Sequence, residues 1–72
     1  MPNNQRYVRR HLFNALMRKI EQDTYPSSTM LDLVEGLLDD STVRAYADLL
    51  LAKVEADTYP SVSLIRRLEQ LA

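Results

Sequence analysis

The sequence predicts an all-α fold, two tandem duplicated αα-hairpins forming one small four-helix domain, with hairpin repeat 1 at about residues 6–38 and hairpin repeat 2 at about 42–72. Three observations predict it. Apolar residues recur at spacings of three and four in four stretches, and no stretch alternates with the period of two that a half-buried strand requires. Residues 16–37 and 50–71 align without a gap at an offset of 34 residues, with ten identical pairs. Five consecutive identities, Asp-Thr-Tyr-Pro-Ser, sit in the middle of the aligned segments and read as a turn between two helices.

The first helix is expected from about Arg6 to Gln22, with Val8, Leu12, Phe13, Leu16, Met17 and Ile20 on one broad face. The opposite arc carries Tyr7, Arg10, His11, Asn14, Arg18 and Glu21. It should stop near Tyr25, because the residue before a proline is pushed out of the helical region. Ser27 then caps a second helix, about Ser28 to Leu38, by accepting a bond from an orphan backbone N–H. Met30, Leu31, Leu33, Val34, Leu37 and Leu38 are its expected core residues. Asp39-Asp40-Ser41-Thr42 supplies caps for a third helix, about Thr42 to Asp57, whose positive N-terminal dipole favours acids there. The second turn repeats the first, with Asp57 folding back on the backbone and Ser61 capping a fourth helix, about Val62 to Leu71. In that helix Leu64, Ile65, Leu68 and Leu71 face the core, and Arg66, Arg67, Glu69 and Gln70 face water. Tyr25 and Tyr59 are expected to be half-buried beside each turn, a setting that suits an apolar ring with a polar tip.

A period of 34 residues is also that of tetratricopeptide repeats. Their close helix packing needs small residues at fixed places, including a glycine in the first helix. Here the sole glycine is Gly36, with no counterpart in the second copy, so the likeness ends at the period.

The third helix is apolar on two sides. Val43, Tyr46, Ala47, Leu50, Leu51 and Val54 make a core face, and Ala45, Leu49, Ala52 and Ala56 make a second stripe with spacings of four, three and four. A helix of that kind must be covered twice or leave an exposed patch. Two arrangements would do it: a central place in the chain against helices 1 and 4, or a two-fold seam between copies, where small alanines let helices approach closely. A chain of 72 residues without cysteine favours the second, since small cores need a further source of stability and closed dimers are the commonest one. Ala45, Leu49, Ala52 and Ala56 are therefore the candidate dimer seam.

Chemistry is sparsely represented. The absence of cysteine excludes disulfides, thiolate nucleophiles and cysteine metal sites. His11 is the sole histidine, and the five serines stand at caps and turns rather than beside a base. The acidic pairs Asp39-Asp40, Glu21/Asp23 and Glu55/Asp57 lack the alternating ligands and turn glycine of a calcium loop, and no Glu-x-x-His pair exists for a di-iron bundle. The chain is therefore expected not to be an enzyme, with no catalytic residues, no cofactor and no metal. No apolar run is long enough for a membrane span, the N-terminus carries no leader-like apolar segment, and nothing asks for an oxidising compartment, so a cytoplasmic setting without membrane contact is expected.

Charge is unevenly placed although the net value is −1. Residues 1–20 hold Arg6, Arg9, Arg10, Arg18 and Lys19 with no acid, whereas residues 21–57 hold nine acids against Arg44 and Lys53. Arg6, Arg9, Arg10, His11, Asn14 and Arg18 thus form a candidate partner surface. The expected function is a non-enzymatic helical protein–protein interaction or assembly module that forms a homodimer and engages an acidic protein partner. The alternative is a small nucleic-acid-associated regulator using the basic helix 1 segment, although Tyr-Pro turns and an acidic second helix do not suit a helix-turn-helix reader.

Overall fold

The computed structural model describes residues 2–72, with side chains from Gln5 onward. It is all-helical among these residues, with four helices in the order α1 (Pro2–Gln22), α2 (Ser28–Glu35), α3 (Val43–Ala56) and α4 (Val62–Leu71). The chain divides into two compact units, Met1–Leu38 and Asp39–Ala72; α1 packs on α2 in the first and α3 on α4 in the second.

In the first unit α1 begins earlier than the sequence pattern suggests. Proline is well placed at a first helical position, where its missing N–H costs nothing and its φ is already helical. Ser27 caps α2 through a bond from Met30 N to its Oγ at 3.1 Å, as the turn sequence requires. However, α2 stops at Glu35, three residues short of the expected end. Past Gly36 the amides of Leu37 and Leu38 reach back only three residues, to Val34 O at 2.9 Å and Glu35 O at 3.4 Å. The last turn therefore tightens, as helix ends often do when a poor helix former interrupts them.

The core of this unit is Phe13, Ile20, Leu31 and Val34, with Leu16, Met17, Met30, Leu37 and Leu38 half-buried. Three expected core residues are instead exposed: Val8, Leu12 and Leu33. Residues four apart drift by about 40° around a helix, so Val8, Leu12, Leu16 and Ile20 form a slanting row rather than one face. In addition α2, about 12 Å long, covers only part of α1, which is about 31 Å long. Leu33 lies roughly 200° from Leu31 and so faces away from α1.

In the second unit Tyr46, Leu50 and Leu64 are buried, and Val43, Ala47, Val54, Leu68 and Leu71 are half-buried. Leu51 and Ile65, expected inside, lie at the edge and are exposed. Arg67, expected in water, is half-buried with Nε inside, because it follows Leu64 by three and its aliphatic stem lies along the same side of α4. Ser61 caps α4, accepting from Leu64 N at 3.4 Å.

The entry to α3 is the most densely bonded turn. Asp39 Oδ1 accepts from Ser41 N (2.9 Å), Ser41 Oγ (2.7 Å) and Thr42 N (3.1 Å), while Thr42 Oγ1 accepts from Asp39 N (2.9 Å). This reciprocal pair has the logic of a capping box, satisfying two amides at once ahead of the helix. The bonds from Ser41 first, then those from Thr42, hold the Asp39 carboxyl below its ordinary value of 3.8.

Candidate functional site

Arg6, Arg9, Arg10, His11, Asn14 and Arg18 are all exposed on α1. Arg6, Arg10, Asn14 and Arg18 follow one another at four-residue spacing, so they form a continuous row that winds slowly around the helix. Arg9 stands off this row. No acid occurs before Glu21, so the row acts as a positive surface laid on the positive end of the helix dipole.

His11 lies on the same arc, one turn after Tyr7 and three residues before Asn14. Its ring contacts Tyr7, with centroids 4.2 Å apart and planes tilted by 41°. The two stand one turn apart, the spacing that lets aromatic side chains meet on a helix. Beside them are Val8 and Leu12. Every residue from 5 to 12 is exposed, Tyr7 by 65%, Val8 by 56% and Leu12 by 45%. The first two described turns of α1 therefore project beyond the cover of α2, with apolar residues on one side and arginines on the other.

On α3 the second stripe is also open: Ala45, Ala52 and Ala56 are exposed and Leu49 is half-buried, roughly 110° around the helix from the buried Tyr46 and Leu50. Asp48 and Glu55 run along the stripe and are exposed.

Comparison with known families, curated proteins and solved structures returns no match. The surface must be read from its own residues.

Among the described residues, no three His, Cys, Asp or Glu side chains come together as a metal-binding group, and no helix is long and apolar enough to cross a membrane. Asp39, half of the most acidic dipeptide, has its carboxylate engaged with Ser41 and Thr42.

Tyr25 and Tyr59 correct a sequence expectation. They are 80% and 90% exposed, not half-buried beside the core. Both precede proline in the bend that links two helices, where the chain leaves the helix–helix contact and no element stands opposite the ring. The two turns have the same local form, a bend at Thr-Tyr, then Pro and an extended Ser, with Ser27 at φ −69°, ψ 148° and Ser61 at φ −66°, ψ 124°. The backbone accounts for Asp, Pro and Ser in this pentapeptide, but not for tyrosine. Identity at the 34-residue offset does not separate exposed from packed positions, since Leu16 and Leu50 are identical too and Leu50 is buried. Val8 and Leu12 were missed as surface residues because periodicity cannot show how far a partner helix extends.

Proposed function

We propose that this chain is a small non-enzymatic helical interaction module, built from two tandem duplicated hairpins and working as a homodimer. The observation that carries it is the projecting part of α1. Residues 5–12 are exposed on every side, yet Tyr7, Val8 and Leu12 present apolar surface there. A small chain gains little by leaving such a patch in water, and a partner that covers it gains the transfer free energy of those groups. Chain length points the same way, because a core this small benefits from association. The small-residue stripe of Ala45, Leu49, Ala52 and Ala56 is a second surface fit for close helix approach. The duplication is supported by the shared offset of the helix ends at Gln22 and Ala56 and of the capping serines.

Sedimentation equilibrium from about 1 to about 200 μM tests the reading, since assembly must follow mass action. A dimer mass is expected in the upper range. A well-folded monomer at every concentration would overturn it.

The open arginine row supports a second reading, contact with an acidic protein or with nucleic acid. Binding to DNA or RNA through Arg6, Arg9, Arg10 and Arg18 would fall steeply with salt, by roughly one log unit per log unit of salt for each phosphate neutralised. No binding at low salt would dismiss the nucleic-acid form.

A further inference from the structure

We infer that two copies of this chain pair reciprocally through the projecting part of α1, each laying its Val8–Leu12 face on the outward Asp32–Leu33–Gly36 face of the other copy's α2. This rests on the self-assembly reading and assigns the contact that reading leaves open.

The projecting segment cannot hold itself well. Isolated helices shorter than about 12–15 residues are marginal in water, and cations in the first turns oppose the helix dipole. Here Arg6, Arg9 and Arg10 occupy those turns without any acid. The face is also turned away from its own hairpin: Val8 and Leu12 lie roughly 90–130° around α1 from the line of Phe13 and Ile20. What covers it must be apolar at the centre and negative around it.

A second α1 fails that requirement, since it would bring five cations against five. By contrast, the stretch between Lys19 and Arg44 contains Glu21, Asp23, Asp32, Glu35, Asp39 and Asp40 and no cation. Within it, α2 presents Leu33, 57% exposed, between exposed Asp32 and exposed Gly36. The same unit thus carries both halves of the contact, a positive apolar ridge and a negative apolar patch, so a two-fold operation satisfies both at once.

Charge also selects the partner helix. At the 34-residue offset, Asp32 of α2 corresponds to the exposed Arg66 of α4, which has exposed Glu69 beside it. The outer side of α4 therefore lacks the net negative charge that Asp32 gives α2, and that difference discriminates between the two hairpins.

The test is a charge exchange in the full chain. In one variant Arg6, Arg9 and Arg10 become Glu; in the other, Asp32→Lys is combined with Gly36→Lys. All five positions are exposed, and an alanine-type Cβ at Gly36 meets only Leu33 O at 3.5 Å and Asp32 O at 3.7 Å, ordinary contact. Circular dichroism confirms folding. Each variant alone is expected to be monomeric at concentrations where the wild type is dimeric. Mixed in equal amounts they restore a heterodimer, because both reciprocal contacts again join opposite charges. The wild-type dimer should weaken at least about tenfold from about 50 to about 500 mM salt. Variants that each dimerise as well as wild type, or a mixture that stays monomeric, would overturn the inference. Loss of the dimer in Ala52→Arg, with the charge variants unaffected, would move the seam to α3 and preserve self-assembly. A monomeric wild type would end both readings.

Discussion

Leu50 and Leu51 are adjacent on α3 and chemically identical, but Leu50 is fully buried and Leu51 is 43% exposed. Truncating each to alanine separates burial from every other property of the side chain. Leu50→Ala removes groups that lie wholly inside the α3–α4 packing, for which the transfer and cavity terms together come to about 3 kcal/mol or more. Leu51→Ala removes groups already half in water and leaves no closed cavity, so about 1 kcal/mol is expected. Urea titration followed by helical circular dichroism is the assay. With a slope near 1 kcal/mol per molar for so small a chain, the midpoints should drop by about 3 M and about 1 M. Since a core of this size supplies only about 3–5 kcal/mol, Leu50→Ala will be close to unfolded, and its folded baseline is recovered with an excluded osmolyte. Protein concentration is held constant, because any self-association adds to apparent stability. Equal costs at the two positions, or a larger one at Leu51, would refute the packing described for α3.

Tyr25→Ala and Tyr59→Ala should each change stability by less than about 0.5 kcal/mol in the same titration, as expected for surface positions; a loss near 3 kcal/mol would put the rings back in the core. Ser27→Ala should cost about 1 kcal/mol through loss of the bond from Met30 N, and an unchanged midpoint would show the cap to be unused. Gly36→Ala should stabilise by roughly 0.5 kcal/mol, since Gly36 has right-handed φ −69° and room for a Cβ, and destabilisation would mean the tightened end of α2 is required. Asp39 titrates below 3.8 in the folded chain, so its bonds support the fold fully above that pH and are lost as pH falls through the lowered value; a chemical-shift titration placing it at or above 3.8 would contradict the turn geometry.

Much of the fold was legible in the sequence because its signals are local. The capping serines, the pre-proline stops and the Asp39–Thr42 turn each act over three or four residues, and α3 and α4 fall within a residue of their expected bounds. Which apolar residues are covered was not legible. A helical period fixes the angle of Leu33 relative to Leu31 but not the fact that α2 ends at Glu35, and α2's length decides that Val8 and Leu12 remain in water. The candidate surface divided the same way. Arginines on α1 were readable as exposed, since charge has nowhere else to go, while their apolar neighbours became part of the surface only once the neighbouring helix was known to be short.

Residues shared by the two hairpins and residues that differ between them do different physical work. The shared set contains Leu16/Leu50, the capping serines and the Asp-Thr-Tyr-Pro-Ser turn, and apart from the tyrosines these set helix ends and packing. Among the unshared pairs, Asp32 against Arg66 and Gly36 against Gln70 change character and lie outward, whereas Ile20/Val54, Met30/Leu64, Leu31/Ile65 and Val34/Leu68 stay apolar. Substitutions at outward positions cost little stability, so a common frame can acquire opposite surface charges without losing its fold. That is why the two hairpins can share a core plan and still differ in outward charge, Asp32 on α2 standing where α4 has Arg66.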